Sequence, residues 1–172
     1  MGERVAKNEL LGFLEAFNSE LNRKILLIAV GGTAMTLLGI KPSTKDVDFN
    51  IPSKEDFDEF KRVEAKISPG VRIDSYSSNM VFSEILPEDY VELATNYELK
   101  LDKISLRILN PLDIICSKIS RFNEPDRQDI RDCIRNFKIT KEQIKNRSKG
   151  YERAGSDKVF EEHLEDILQN MF

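Results

Sequence analysis

The chain has 172 residues, of which 40% are hydrophobic and 33% are charged. This length and apolar content are enough for one ordinary folded domain with a real core, and they exclude a disordered chain. The 26 basic and 30 acidic residues nearly cancel, which leaves a formal net charge of −4. This balance disfavours a protein that binds nucleic acid through a globally basic surface.

The cysteines, Cys116 and Cys133, lie in helix-like apolar patterns, far from any closely spaced cysteine pair. The sequence therefore predicts neither a disulfide scaffold nor a zinc site, and it indicates a reducing, cytoplasmic compartment. His163 is the lone histidine, so a metal site built on histidines is excluded and His163 is interpreted as a surface residue of a helix. No stretch approaches the ~18 apolar residues of a membrane span, and we expect no membrane partner.

The first part of the chain alternates between helix and strand patterns. An amphipathic helix is predicted over about residues 5–23, because apolar side chains recur with helical spacing at Leu10, Leu14, Phe17 and Leu21. The apolar run of residues 25–30 ends at Gly31-Gly32, which predicts a strand buried on both faces. Residues 33–40 are expected to form a short helix.

Two later segments alternate polar and apolar residues, as half-buried strands do. In residues 46–51 one face carries Asp46, Asp48 and Asn50. In residues 71–76 one face carries Arg72, Asp74 and Tyr76. Between these strands, a helix is predicted to begin after Ser53, which is a favourable N-cap residue.

Residues 80–109 contain further strand-like runs. The alternation of Leu99 and Leu101, and then of Ile104, Leu106 and Ile108, predicts a hairpin about Asp102-Lys103. From Asn110-Pro111 onward the pattern becomes helical, since Asn is a good N-cap and Pro suits the first helical position. We therefore expect an α/β (α+β) fold in which residues 1–110 form the core. Residues 111–172 are expected to form a C-terminal helical segment packed on it within one compact domain.

A glycine pair stands where the predicted strand 25–30 meets the next helix. Backbone N–H groups and the helix dipole at such a junction can hold a phosphate, and a glycine has no Cβ to obstruct it. Gly31 and Gly32 are therefore candidate phosphate contacts, with an ordinary tight turn as the alternative. The Thr33 hydroxyl is either a donor to that phosphate or a plain helix N-cap.

Asp46 and Asp48 are two residues apart on a predicted strand, so both project from the same face. Two such carboxylates repel each other unless a positive charge lies between them, and a divalent cation would serve. A solvated strand face is the alternative for the pair on its own.

Together, these motifs appear in a particular order: a strand, Gly-Gly, a helix, a 13-residue interval from Gly32 to Asp46, and an Asp-apolar-Asp-apolar strand. This order resembles the DNA polymerase beta-like nucleotidyltransferase superfamily. The resemblance implies a mixed β-sheet flanked by helices, a glycine pair that contacts a nucleoside triphosphate, and strand carboxylates that ligate magnesium ions. It also implies a third carboxylate on a later strand, for which Asp74 is the matching residue.

The segment of residues 108–118 is similar to the strand-then-helix segment of small prokaryotic nucleotidyltransferases, including those of toxin–antitoxin modules. The resemblance implies that Lys118, which follows a Pro-x-Asp helix start, contacts the nucleotide. By helical geometry Lys118 falls within an apolar arc, so its ammonium group either reaches water or meets a buried negative partner. On these grounds, replacing Lys118 by Met is expected to leave stability unchanged or slightly higher.

The resemblance implies a metal-dependent nucleotidyltransferase that moves a nucleoside monophosphate from a triphosphate such as ATP to an acceptor hydroxyl. The implied cofactor is Mg²⁺ or Mn²⁺, held by the catalytic residues Asp46, Asp48 and Asp74. The implied nucleotide contacts are Gly31, Gly32, Thr33 and Lys118. The acceptor is an RNA or tRNA end, a protein or a small molecule, and the favoured role is the toxin of a toxin–antitoxin pair, with a cognate antitoxin as partner.

Two alternatives stay open at this stage. The first is a catalytically silent nucleotide-binding or partner-binding protein with the same fold, which lacks an effective third carboxylate. The second concerns residues 135–153, which hold seven basic residues against two acidic ones. This tract is either a site for a polyanion such as RNA or an ordinary solvated helix face.

Overall fold

A computed structural model describes residues 3–67 and 70–172 of the chain. The strands are β1 (Val5–Ala6), β2 (Ile25–Ala29), β3 (Ser43–Thr44), β4 (Val47–Ile51), β5 (Ile73–Ser77), β6 (Met80–Val81), β7 (Glu84–Ile85), β8 (Thr95–Tyr97), β9 (Ile104–Ile108) and β10 (Glu152–Arg153). The helices are α1 (Lys7–Glu20), α2 (Gly31–Leu37), α3 (Lys54–Lys66), α4 (Tyr90–Leu93), α5 (Pro111–Ser117), α6 (Glu124–Phe137), α7 (Lys141–Ser148) and α8 (Asp157–Asn170).

These elements form two compact units. The first comprises the described parts of Met1–Ser78 together with Leu93–Leu109, and the second comprises Asn79–Glu92 and Asn110–Phe172. Residues 79–92, which the sequence pattern places in the core segment, thus belong to the second unit. That the C-terminal helical segment packs on the core stays a prediction.

A five-stranded mixed sheet, in the order β5-β4-β2-β9-β8, forms the centre of the first unit. Strand β2 pairs antiparallel with β4 and parallel with β9, and β4 pairs parallel with β5. The apolar run of residues 25–29 explains why β2 is central, because a strand buried on both faces needs apolar side chains on each of them. The predicted mixed α/β architecture is confirmed.

Three aromatic rings link the helices of the first unit to its sheet. Phe60 of α3 stacks on Phe17 of α1 with ring centroids 4.6 Å apart, and it meets Phe49 of β4 edge-on at 6.2 Å. All three side chains are fully buried. Such aromatic pairs add stability beyond the area they bury. They fix the apolar face of β4 against α3, and the polar residues of β4 lie on its other face.

The predicted hairpin about Asp102-Lys103 differs from the structure in its first strand. That strand is β8 (Thr95–Tyr97), and residues 98–103 form the connection to β9. The Asn18 side chain of α1 holds this connection, since its amide donates to Asp102 at 2.8 Å and its oxygen accepts from the Lys103 N–H at 2.9 Å. A contact so distant in sequence leaves no local signal, and the strand predicted from the alternating leucines is therefore wrong.

The second unit contains α5 to α8, most of α4 and a small sheet in the order β10-β7-β6. Helix α5 begins as predicted, with Pro111 in its first turn and the Asn110 side chain accepting from the Leu112 N–H at 2.9 Å. His163 of α8 is half-buried, with Nδ1 2.7 Å from the Ile119 carbonyl and its ring 4.7 Å from Phe122. Throughout the described residues, no helix is both long and apolar enough to cross a membrane.

A buried carboxylate organises the interior of the second unit. Asp113 of α5 is fully buried and accepts two hydrogen bonds from Arg147 of α7, at 2.6 and 2.9 Å. The Tyr151 hydroxyl donates a third bond to it, at 2.7 Å. Burial, followed by nearby negative charges that include Asp113, raises the pKa of Tyr151 well above its ordinary value. These bonds offset the cost of burying the Asp113 charge.

We predict that Tyr151→Phe lowers the free energy of unfolding by about 1.5 to 3 kcal/mol, because a hydrogen bond to a charged acceptor is lost inside the protein. Denaturant titration measures the change. Tyr97→Phe is the matched control, since the Tyr97 hydroxyl has no hydrogen-bond partner within the described parts of the chain. Equal stabilities of the two variants would contradict the proposed contribution of Tyr151.

Candidate active site

The glycine pair has a structural requirement at each of its positions. Helix α2 starts at Gly31, whose φ of 54° lies in the left-handed region that favours glycine. At Gly32 a Cβ atom would lie 2.5 Å from Oγ1 of Thr44, which is closer than real side chains approach. The backbone of this turn therefore lies close to β3. Gly31 is needed for its positive φ, and Gly32 is needed because there is no space for a Cβ atom.

Thr33 connects this turn to the strand that carries the aspartates. Its buried hydroxyl accepts a hydrogen bond from the Asp48 N–H at 2.8 Å and donates to the Asp46 carbonyl at 3.3 Å. The N-cap of α2 is Val30, so the alternative that made Thr33 a helix N-cap is wrong. A hydroxyl has one hydrogen to donate, and here it is donated to the Asp46 carbonyl. That Thr33 contacts a triphosphate stays a prediction. Thr33 thus fixes the start of β4 relative to the glycine turn.

The predicted carboxylates occupy neighbouring strands. Asp48 of β4 is the register partner of Asp74 of β5 in a parallel pair, so the two side chains project from the same face of the sheet. Asp46 lies immediately before β4 and is half-buried. Asp48 is only 7% exposed, whereas the Asp74 side chain is 26% exposed because β5 is at the edge of the sheet. The fold therefore sets Asp48 and Asp74 side by side, with Asp46 two residues before Asp48 in the chain.

A guanidinium group accompanies these carboxylates. Nε of Arg72 lies 3.1 Å from Oδ1 of Asp74. The hydrogen bond and the charge of Asp74, and then the charge of Asp46, raise the pKa of Arg72 above its ordinary value. The alternation of residues 71–76 predicts that Arg72 lies on the same strand face as Asp74, but it assigns Arg72 no role. Its position two residues before Asp74 already indicates that the two side chains can form an ion pair.

The carboxylates suit a magnesium site by type and by strand position. Carboxylate oxygens are the ligands that Mg²⁺ prefers, and paired residues on adjacent strands lie about 4.8 Å apart. Within residues 3–67 and 70–172, however, no group of three or more His, Cys, Asp or Glu side chains is arranged to hold a metal ion. One carboxylate oxygen of Asp74, Oδ1, accepts a hydrogen bond from Nε of Arg72.

Lys118 lies in the second unit, at the end of α5, and is 2% exposed. Its ammonium group is 2.9 Å from Oδ1 of Asp126 and 2.9 Å from Oδ2 of Asp129. Of the two sequence alternatives, the buried negative partner is therefore correct, and both partners belong to α6. Burial alone would raise the pKa of Asp126, but hydrogen bonds from Arg121 and the charge of Lys118 hold it below its ordinary value.

The architecture described above is that of a nucleotidyltransferase-like protein. The chain belongs to a family described as nucleotidyltransferases of unknown function (DUF6036), whose model matches residues 9–157. The predicted membership of the nucleotidyltransferase superfamily is confirmed.

A solved structure has a similar fold, that of an antigenic nucleotidyltransferase-like protein from Paracoccidioides brasiliensis. The two structures superpose with a TM-score of 0.51, over 97% of this chain and 90% of that chain, and their sequences are 15% identical. At this identity the similarity shows a shared fold. None of the curated proteins compared with the chain matches it.

We predict that Gly32→Ala destabilises the protein by about 1 to 3 kcal/mol, the usual cost of forcing an atom into a packed site. The new Cβ must displace Thr44, whose hydroxyl donates to the Asp46 carbonyl at 2.8 Å. Gly12→Ala is the control, because Gly12 lies in α1 and a methyl group added there would meet nothing within 4 Å. The control should gain about 0.5 to 1 kcal/mol from helix propensity. Thermal unfolding compares the two, and a neutral Gly32→Ala would contradict the packing described.

The structure reverses the stability expected for Lys118→Met. Removing the ammonium group leaves the buried Asp126 and Asp129 carboxylates without that partner, and breaking a buried ion pair typically costs about 3 to 5 kcal/mol. Urea unfolding should show a loss of this size. Lys158→Met, at a lysine whose side chain is 86% exposed, should change stability by less than about 0.5 kcal/mol. An unchanged Lys118→Met protein would restore the original expectation.

Proposed function

We propose that the protein is a metal-dependent nucleotidyltransferase whose reaction takes place at Asp46, Asp48 and Asp74. The parallel register of Asp48 with Asp74 is the observation that carries the proposal. This register sets two carboxylates side by side on one sheet face, with Asp46 just before the same strand. Family membership supports the reaction class. An arrangement of like charges is costly unless a cation compensates it, and a Mg²⁺ or Mn²⁺ ion bound to a triphosphate would do so.

In the proposed reaction, the acceptor hydroxyl oxygen attacks the α-phosphorus of the triphosphate. A new oxygen–phosphorus bond forms, the bond to the bridging oxygen breaks, and pyrophosphate leaves. When bound, the metal would neutralise charge on the phosphates and lower the pKa of the acceptor hydroxyl. Asp48, which is nearly buried, would hold the ion together with Asp46 and Asp74. Asp74, at the more exposed edge strand, would also orient the acceptor and take up its proton.

The glycine turn would position the triphosphate. Gly31 and Gly32 have no side chains, so their backbone can approach phosphate oxygens closely. Thr33 stays in the proposed nucleotide contacts, and its hydroxyl would also hold the Asp46–Asp48 backbone in place. Lys118 stays in the proposed nucleotide contacts on the family resemblance, and contact with a phosphate would require its ammonium group to share or exchange Asp126 and Asp129.

The acceptor is proposed to be an RNA or tRNA end, a protein or a small molecule. The similarity of residues 108–118 to toxin–antitoxin nucleotidyltransferases favours a toxin with a cognate antitoxin, acting in the cytoplasm. The basic tract gives limited support for a polyanion. Two of its members are engaged in ion pairs, Arg147 with Asp113 and Arg153 with Asp157. The other five are exposed and comprise Arg135, Lys138, Lys141, Lys145 and Lys149.

A catalytically silent nucleotide-binding protein is the second candidate. The Arg72–Asp74 ion pair favours it, because a guanidinium that permanently occupied the third carboxylate would leave the site without an effective metal ligand. Incubation with labelled nucleoside triphosphates, Mg²⁺ and total RNA or cell lysate separates the candidates. Transfer of label supports the enzyme, and nucleotide binding without transfer supports the silent protein.

We predict that Asp46→Asn and Asp48→Asn each reduce transfer by more than about 100-fold, since each removes a metal ligand. Both variants should remain folded without metal and should gain less thermal stability than the wild type from added Mg²⁺ and triphosphate. Asp74→Asn should lower kcat with nearly unchanged triphosphate affinity.

The control for these variants is Asp58→Asn on α3, because Asp58 is exposed and pairs with Lys54. It makes the same chemical change outside the carboxylate strands. Near-normal turnover in any of the three site variants would remove that residue from the proposed site.

A further inference from the structure

Arg72 stands among negative or ionisable groups on the polar face of the edge strand. Its guanidinium contacts Asp74 at 3.1 Å, and the negative charge of Asp46 also acts on it. Arg72 and Asp74 are two residues apart on an extended chain, so their side chains project from the same face. The pair therefore lies within the group of carboxylates proposed to hold the metal.

The Arg72 side chain is 72% exposed. An exposed ion pair of this kind shifts an equilibrium by no more than about fivefold, because water solvates both partners well when they separate. The guanidinium can therefore leave Asp74 at little cost. A divalent cation, with twice the charge and direct coordination, is the stronger partner for a cluster of three carboxylates.

We propose that Arg72 is an internal counter-ion that competes with the catalytic metal for Asp74. Without metal, Arg72 holds the third carboxylate and reduces the repulsion within the cluster. Binding of the metal requires Asp74 to exchange the guanidinium for the ion. This inference rests on the proposed function, because it takes Asp46, Asp48 and Asp74 to be the metal ligands.

Direct binding of Mn²⁺ tests the competition without measuring activity. The affinity of Mn²⁺ is measured by electron paramagnetic resonance of the free ion, with and without a non-hydrolysable triphosphate. Protein-free samples with the same triphosphate serve as blanks, because the triphosphate itself chelates Mn²⁺. Arg72→Gln should bind Mn²⁺ about two- to fivefold more tightly than the wild type, because the competing cation is gone. Asp74→Asn should bind it more weakly.

Two controls separate a specific effect from a general change of charge. Arg23→Gln removes one positive charge from the first unit, at a partly exposed arginine paired with Asp56 of α3, and it should leave the Mn²⁺ affinity unchanged. In the Asp74→Asn background, Arg72→Gln should lose its effect, because the two residues act on each other. Circular dichroism confirms that each variant is folded.

The outcomes distinguish this inference from the function on which it rests. Equal Mn²⁺ affinities of the wild type and Arg72→Gln overturn the competition and leave the proposed metal site intact. An equal gain in Mn²⁺ affinity from Arg72→Gln in the wild type and in the Asp74→Asn background also overturns the competition and leaves the proposed metal site intact. Failure of every protein to bind Mn²⁺, with or without the triphosphate, overturns both the competition and the proposed function.

Discussion

The register between two parallel strands is the constraint on which the candidate site depends. It sets Asp48 directly beside Asp74, and a shift by one residue would move one of them to the apolar face. The apolar face of β4 is fixed against α3, because Phe49 packs edge-on against Phe60. The backbone N–H of Asp48 is in turn held by the Thr33 hydroxyl. Packing thus keeps two like charges together at a place where a cation can compensate them.

In the second unit, buried carboxylates are compensated by cationic and hydroxyl side chains of the protein itself. Asp113 is satisfied by Arg147 and Tyr151, and Asp126 by Lys118 and Arg121. Each of these two buried carboxylates has at least two charged or hydroxyl donors, which offset the cost of removing it from water. In the first unit, by contrast, the arginine that pairs with Asp74 is itself largely exposed. The carboxylates of the first unit therefore keep charge that a bound cation can match.

Much of the first unit was predictable from the sequence because its signals are local. Alternation identified β4 and β5, and it predicted that Asp48 and Asp74 lie on the polar faces of these strands. Contacts between distant residues were not predictable in the same way. The Thr33–Asp48 bond needs the turn to fold back on the strand, and the partners of Lys118 come from the following helix. The hairpin strand was misplaced because Asn18, far away in sequence, anchors its loop. Arg72 could have been found, since it shares a strand face with Asp74.

The central claim is that Asp46, Asp48 and Asp74 form one metal site. A crystal structure of the protein with Mn²⁺ and a non-hydrolysable triphosphate tests it most directly, because manganese can be located by its anomalous scattering. We predict an anomalous peak within coordination distance of at least Asp48 and Asp74, with the Arg72 guanidinium moved away from Asp74. A bound triphosphate whose manganese lies away from all three aspartates, with the Arg72–Asp74 ion pair intact, would contradict the claim.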